Sequence, residues 1–127
     1  MAQEKVDLHS PETIQEVWEK GTVVPGYNKD LYRKDAVGAW ICRDDYADRG
    51  KDFGWEMDHV YPKKKGGEDY MENLRPMNWR NNMSKDNDYP RYRVAVKAEG
   101  YRNVKDEQYY TVSKKLQNIL KELYDYD

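Results

Sequence analysis

The segment Trp55-Glu56-Met57-Asp58-His59-Val60 alternates apolar and polar residues between Gly54 and Pro62. That period of two predicts a strand with one face turned inward. Lys63 to Asn73 then holds three lysines, Gly66-Gly67 and three acids, a loop composition. Leu74-Arg75-Pro76-Met77 predicts a short returning strand, which Pro76 confines to a sheet edge or a strand end. A helix is expected from about Asn78 to Lys85, with Trp79 and Met83 one turn apart on its buried side. Strand, loop, strand and helix in that order commit the middle of the chain to an α+β fold.

The flanks add two helices, a short strand and a hairpin. Ser10-Pro11-Glu12 opens a helix, since Ser caps free amides, Pro suits the first helical position and acids suit the positive helix end. It is expected to run to about Lys20, with Ile14, Val17 and Trp18 on one face and Gly21 as the stop. Residues 22–54 mix short apolar runs with Gly, Asn and Asp, and only Ala39–Cys42 predicts a short strand. Tyr92, Val94 and Val96 alternate with Arg91, Arg93 and Lys97 before Gly100, which predicts one arm of a hairpin, with Tyr109 to Val112 as the other. Ser113 then caps a C-terminal helix with an apolar stripe of Leu116, Ile119, Leu120 and Leu123, ending in Tyr124-Asp125-Tyr126-Asp127. No repeat, low-complexity tract or linker divides residues 1–127, so one small domain is expected.

Composition narrows the function classes. With 22 Lys and Arg against 24 Asp and Glu, the net charge of −2 excludes a uniformly basic nucleic-acid coat, so any anion site is local. An aromatic content of 13% argues for a folded, soluble domain rather than disorder. Cys42 is the single cysteine: it can form no internal disulfide, it reads most simply as a small buried hydrophobe, and a reducing compartment is the default. The charged start Met1-Ala2-Gln3-Glu4-Lys5 lacks the apolar core of a signal peptide, and no stretch approaches the roughly 18 apolar residues of a membrane span. A cytoplasmic protein with no membrane partner is expected.

Asp58-His59, Asn73 fourteen positions after the His, and Asn82 nine further on are the informative constellation. A strand ending in Asp-His, a loop, a returning strand and a helix can bring these four side chains together around one metal ion. Phosphodiester hydrolysis needs a base to activate water, a cation to neutralise charge on the phosphate and leaving oxygen, and a group that orients the base. An imidazole suits the first role. Asp and Asn offer oxygen ligands of the kind magnesium prefers. Neighbouring strand residues point to opposite faces, so Asp58 and His59 can serve together only where the strand ends or bends.

Gly54-Trp55-Glu56-Met57-Asp58-His59-Val60, Gly66-Gly67, Asn73-Leu74-Arg75-Pro76-Met77 and Asn82-Met83-Ser84-Lys85 resemble an HNH endonuclease over about residues 54–86. Val17-Trp18-Glu19-Lys20-Gly21 and Arg33-Lys34-Asp35 add a weaker similarity to a bacterial HNH subgroup. The resemblance implies a ββα-metal hairpin and helix and cleavage of DNA, sometimes RNA, with one divalent cation. It makes His59 the general base, Asp58 and Asn82 metal ligands, and Asn73 the residue that holds the loop and orients His59. Lys85, one turn beyond Asn82, would contact phosphate or pack over the site.

Two departures from the family pattern matter. The third motif position is often His; here it is Asn82, whose oxygen argues for Mg or Mn over Zn. Asn78 and Asn81 stand where a Cys-x-x-Cys pair of a zinc knuckle often precedes the final ligand, so no structural zinc is expected and packing by Trp18, Trp40, Trp55 and Trp79 must hold the fold.

Residues 58–103 carry a net charge of +3 against −5 for the remainder. Lys63, Lys64, Lys65, Arg75, Arg80, Arg91 and Arg93 are candidate phosphate contacts within that segment. The bland readings differ by residue. His9 is a surface residue, Glu56 a strand-surface residue, and Tyr89, Tyr92, Tyr109 and Tyr110 core and sheet residues. Asn81 and Asn82 could be ordinary helix-surface residues, although an Asn pair is unfavourable in a helix and so favours a purpose for one of them. Two function classes follow: a metal-dependent endonuclease acting on nucleic acid, with DNA favoured, or a catalytically silent HNH scaffold that binds nucleic acid or inhibits a protein. The C-terminal stripe leaves a homodimer open. A domain this small also leaves room for a specificity-giving protein partner.

Overall fold

A computed structural model describes residues 4–124; Met1–Gln3 of the expected N-terminus and Asp125–Asp127 of the expected helix end lie outside the described residues. Helix α1 (Pro11–Trp18) begins as expected, with the Ser10 hydroxyl accepting from the Thr13 amide at 3.1 Å. It stops two residues early. The Lys20 and Gly21 amides reach back only three residues, to Val17 and Trp18, which tightens the last turn.

Residues 22–54 hold more structure than their sequence suggests. Strands β1 (Thr22–Val23), β2 (Tyr32–Lys34) and β3 (Trp40–Cys42) form a three-stranded antiparallel sheet in that order. Runs of two or three residues are too short to show a period, so β1 and β2 escape sequence reading. Cys42 ends β3 half-buried rather than in the core.

Strands β4 (Trp55–His59) and β5 (Leu74–Asn78) pair antiparallel, with Asp58 opposite Arg75 and His59 opposite Leu74. Helix α2 (Trp79–Lys85) follows directly, capped by the Asn78 side chain, which accepts from the Arg80 amide at 3.0 Å. Its inward residues correct the expectation from Trp79 and Met83. Met83 is 54% exposed, and the buried pair one turn apart is Asn81 and Lys85.

Strands β6 (Arg91–Glu99) and β7 (Arg102–Thr111) make a hairpin longer than predicted, turning at Gly100, whose φ of 61° lies in the left-handed region. A register shift between Val94 and Val96 interrupts the ladder. Helix α3 (Lys114–Tyr124) has the Ser113 hydroxyl accepting from the Leu116 amide at 3.2 Å.

The β4–β5 hairpin separates two apolar clusters. On one side Val17 and Trp18 of α1 pack with Ile41, Trp55 and Leu74; on the other, Val60 and Met77 pack with Tyr92, Val94, Val112 and Leu120. Leu116 and Leu123 also lean on the second cluster, so most of the α3 stripe is covered within the chain. Three helices and small antiparallel sheets make the described fold α+β. No helix among the described residues is long and apolar enough to cross a membrane.

Candidate functional site

Where the C-terminal end of β4 meets the end of α2, a cavity of about 220 Å³ is bordered by Asp58, His59, Lys63, Asn82 and Asp86. Three of the four residues of the sequence constellation therefore reach one place. Alternation along β4 sends Asp58 and His59 to different partners, as strand geometry requires, yet both border the cavity because β4 ends at His59.

His59 is held by a residue that sequence reading missed. Its Nε2 lies 2.8 Å from Asp69 Oδ1, in the loop between β4 and β5. In the neutral ring, Nε2–H donates to that carboxylate and Nδ1 is left as the proton acceptor. The only sequence signal was an acid in a loop that carries three.

Asn73 lies buried beneath the same loop. Its Oδ1 accepts from the Tyr61 amide at 2.7 Å, and its Nδ2 donates to the carbonyls of Tyr61 at 3.0 Å and Glu68 at 3.2 Å. The loop-holding role assigned by resemblance is what its side chain does; orientation of the His59 ring falls instead to Asp69. Gly67 closes the loop where a Cβ would stand 1.8 Å from the Tyr61 carbonyl oxygen, and Gly66 has φ of 109°.

Asp58 is 2% exposed and paired twice: Oδ1 with Lys85 Nζ at 3.1 Å and Oδ2 with Arg75 Nε at 2.8 Å. Lys85, fully buried, also donates to the carbonyls of Val60 at 3.1 Å and His59 at 3.3 Å. Burial lowers its pKa despite the neighbouring Asp58. Arg75 is thus corrected from a phosphate contact to a half-buried partner of Asp58, and of the two readings of Lys85 its burial leaves packing over the site.

Asn82 sits half-buried on the β4 side of α2, its Nδ2 donating to Glu56 Oε1 at 3.0 Å, which fixes the amide and leaves Oδ1 as its free end. Glu56, read from sequence as a surface residue, anchors this corner: Arg49 holds it through Nε at 2.6 Å and Nη2 at 3.0 Å. Burial pushes the Glu56 carboxyl up, but the hydrogen bonds from Arg49 and Asn82 and the Arg49 charge outweigh it and hold its pKa below the usual range.

The remaining cations divide. Lys63, Lys64 and Lys65 form an exposed 3₁₀ turn at the cavity rim, with Lys63 Nζ 3.9 Å from Asp69 Oδ1. Arg80 is drawn to Asp52, donating through Nη2 to its carbonyl at 2.8 Å and pairing with its carboxylate. Arg91 and Arg93 alternate with Tyr92, whose ring lies by Arg75 and Lys85, so they occupy the face of the hairpin turned away from the Asp58 cluster. Arg91 stacks on Tyr109 and Arg93 pairs with Glu107. Neither residue, nor Arg80, borders the His59 cavity.

The donor chemistry fits a hard divalent cation. The carboxylates of Asp58 and Asp86 and the amides of Asn82 and Asn87 border the cavity, and magnesium commonly uses only one or two protein oxygens, completing its shell with water and phosphate. Each Asp58 oxygen faces one cationic partner and carries a second lone pair. Among the described residues no group of three or more His, Cys, Asp or Glu side chains is gathered to hold an ion, so Asn82 and substrate or water oxygens would have to complete the shell.

Asn78 and Asn81 are fully buried in a hydrogen-bond network. Asp35 Oδ2 accepts from the Asn78 amide at 3.0 Å and from Asn81 Nδ2 at 3.1 Å, while Oδ1 accepts from the amides of Val37 and Ala39. Burial pushes the Asp35 carboxyl up against these four donors. Asn81 Oδ1 accepts from the amides of Ala95 at 2.8 Å and Val96 at 2.9 Å, at the irregular step of β6. Asn103 bonds both the amide and the carbonyl of Trp40. Amide side chains thereby tie β3, α2 and the β6–β7 hairpin together. Compared with protein-family models, with curated proteins and with solved structures, the chain matches none of them.

Proposed function

We propose that the protein is a metal-dependent endonuclease of the HNH type, hydrolysing phosphodiester bonds in nucleic acid, with DNA as the favoured substrate. The observation that carries this reading is His59, braced by Asp69 at 2.8 Å and bordering one cavity with Asp58 and Asn82 at a hairpin–helix junction. His59 Nδ1 would take the proton of the attacking water, and Asp69 would hold the ring and stabilise the imidazolium that forms. Asp58 and Asn82 would hold one magnesium or manganese ion, which when bound supplies charge neutralisation at the phosphate. Asn73 keeps the loop that carries Asp69 closed on β4 through its bonds to Tyr61 and Glu68.

The test is cleavage of plasmid, single-stranded DNA and RNA with Mg, Mn or EDTA by the wild type, His59→Ala and Asn82→Ala. Metal-dependent nicking lost in both variants is expected. A second reading, a catalytically silent HNH scaffold, is favoured by one feature: both oxygens of Asp58 are already paired with cations. No cleavage of any substrate by folded protein, with no metal binding detected by calorimetry, would establish that reading instead.

A further inference from the structure

A second cavity, of about 350 Å³, lies between α3 and the segment that leaves β4. Lys65 borders it on one side and Lys114, Gln117, Asn118 and Lys121 on the other, with the Tyr61 and Tyr89 rings between them. Among the described residues no carboxylate lines it, in a chain with more acids than bases. Lys65, Lys114 and Lys121 are exposed, and none forms an ion pair among the described residues, whereas Lys97 and Lys105 on the far hairpin are matched to Asp106 and Glu107.

The spacing follows from helix geometry. Positions 114, 117, 118 and 121 recur at three and four residues and share one face of α3, while Leu116, Leu120 and Leu123 turn to the core. Seven residues set Lys114 and Lys121 about 10 Å apart along the axis. The groove also adjoins the candidate site, because Lys63 borders the His59 cavity and Lys65 the groove, and both belong to one 3₁₀ turn.

We propose that this groove holds the phosphate backbone of the nucleic acid whose scissile bond lies at His59, so that α3 forms part of the substrate grip. The proposal rests on the nuclease reading and deepens it. Unmatched ammonium groups beside the neutral amide of Asn118 suit a run of phosphates, and such contacts add affinity without reading sequence.

The test measures binding of a short labelled DNA duplex and of its single strand by fluorescence anisotropy between about 50 and 200 mM salt. It uses His59→Ala protein to prevent turnover, with plasmid nicking by the wild type measured in parallel. Adding Lys114→Gln and Lys121→Gln is expected to reduce the slope of log affinity against log salt by about two and to weaken binding about tenfold at the lower salt. Lys97→Gln with Lys105→Gln removes the same charge elsewhere and should leave the slope unchanged. An unchanged slope in the Lys114/Lys121 variant, or an equal loss in both pairs, overturns the groove while wild-type nicking keeps the nuclease reading. Absence of both nicking and salt-dependent binding overturns the two together.

Discussion

Asp58 Oδ1 and Lys85 Nζ lie 3.1 Å apart, the ammonium fully buried and the carboxylate 2% exposed, one on a strand and the other on the helix packed beside it. The same ammonium bonds the carbonyls of His59 and Val60. Removing it strands a buried carboxylate with Arg75 alone and releases the backbone that carries His59. Lys85→Met is expected to cost about 3 kcal/mol in urea unfolding followed by tryptophan fluorescence. Asp58→Asn combined with Lys85→Met should cost at least about 1 kcal/mol less than the two single losses together. Additive losses would mean that the pair is not coupled.

Asn81 meets four polar groups with one amide: Asp35 and the Val96 carbonyl through Nδ2, and the amides of Ala95 and Val96 through Oδ1. Leucine approximates its volume and offers none of these bonds. Each buried group left unpaired costs about 1–3 kcal/mol, so Asn81→Leu should destabilise by at least about 3 kcal/mol. Hydrogen exchange should show the Ala95 and Val96 amides losing protection before the rest of β6. Protection unchanged at those two positions would contradict the role assigned to Asn81.

Glu56 gives stability a pH dependence of known sign. Its folded pKa lies below the ordinary 4.5, so the folded state binds fewer protons than the unfolded one as acid is added. The contribution is full above 4.5 and disappears as pH falls through the folded value. Glu56→Gln should be less stable than wild type by about 1 kcal/mol at neutral pH, and the two should converge as pH falls through the folded value. A gap of constant size across the acid range would show that the Arg49 and Asn82 contacts do not act through the ionised carboxylate.

Much of the β4–β5–α2 unit was legible because alternation, glycines and a capping Asn each act locally. The inward face of α2 was not. Asn81 and Lys85 are its buried residues, and a search for apolar spacing chose Trp79 and Met83 instead. The polar choice makes sense only once Asp35, Asp58 and the interrupted ladder of β6 are in place, all distant in sequence. Similarly, Arg75 read as a phosphate contact because its charge was visible and its partner was not. Asp58, His59 and Asn82 were found together through motif spacing, whereas Asp69 depends on a loop path that spacing does not encode.

His59 and Asp69 separate catalysis from folding in the proposed nuclease. His59 is half-buried, and its ring makes a hydrogen bond to one loop carboxylate, so His59→Ala should keep most of the stability and lose about 10²–10⁴-fold in nicking rate. Asp69→Asn keeps the size of the partner but can donate to Nε2, which favours the tautomer bearing its proton on Nδ1 and removes the free acceptor. Its cleavage rate should fall about 10–100-fold with substrate affinity nearly unchanged. A variant with wild-type rate would show that Asp69 only braces the loop, leaving His59 to be oriented by the backbone that Lys85 and Asn73 hold.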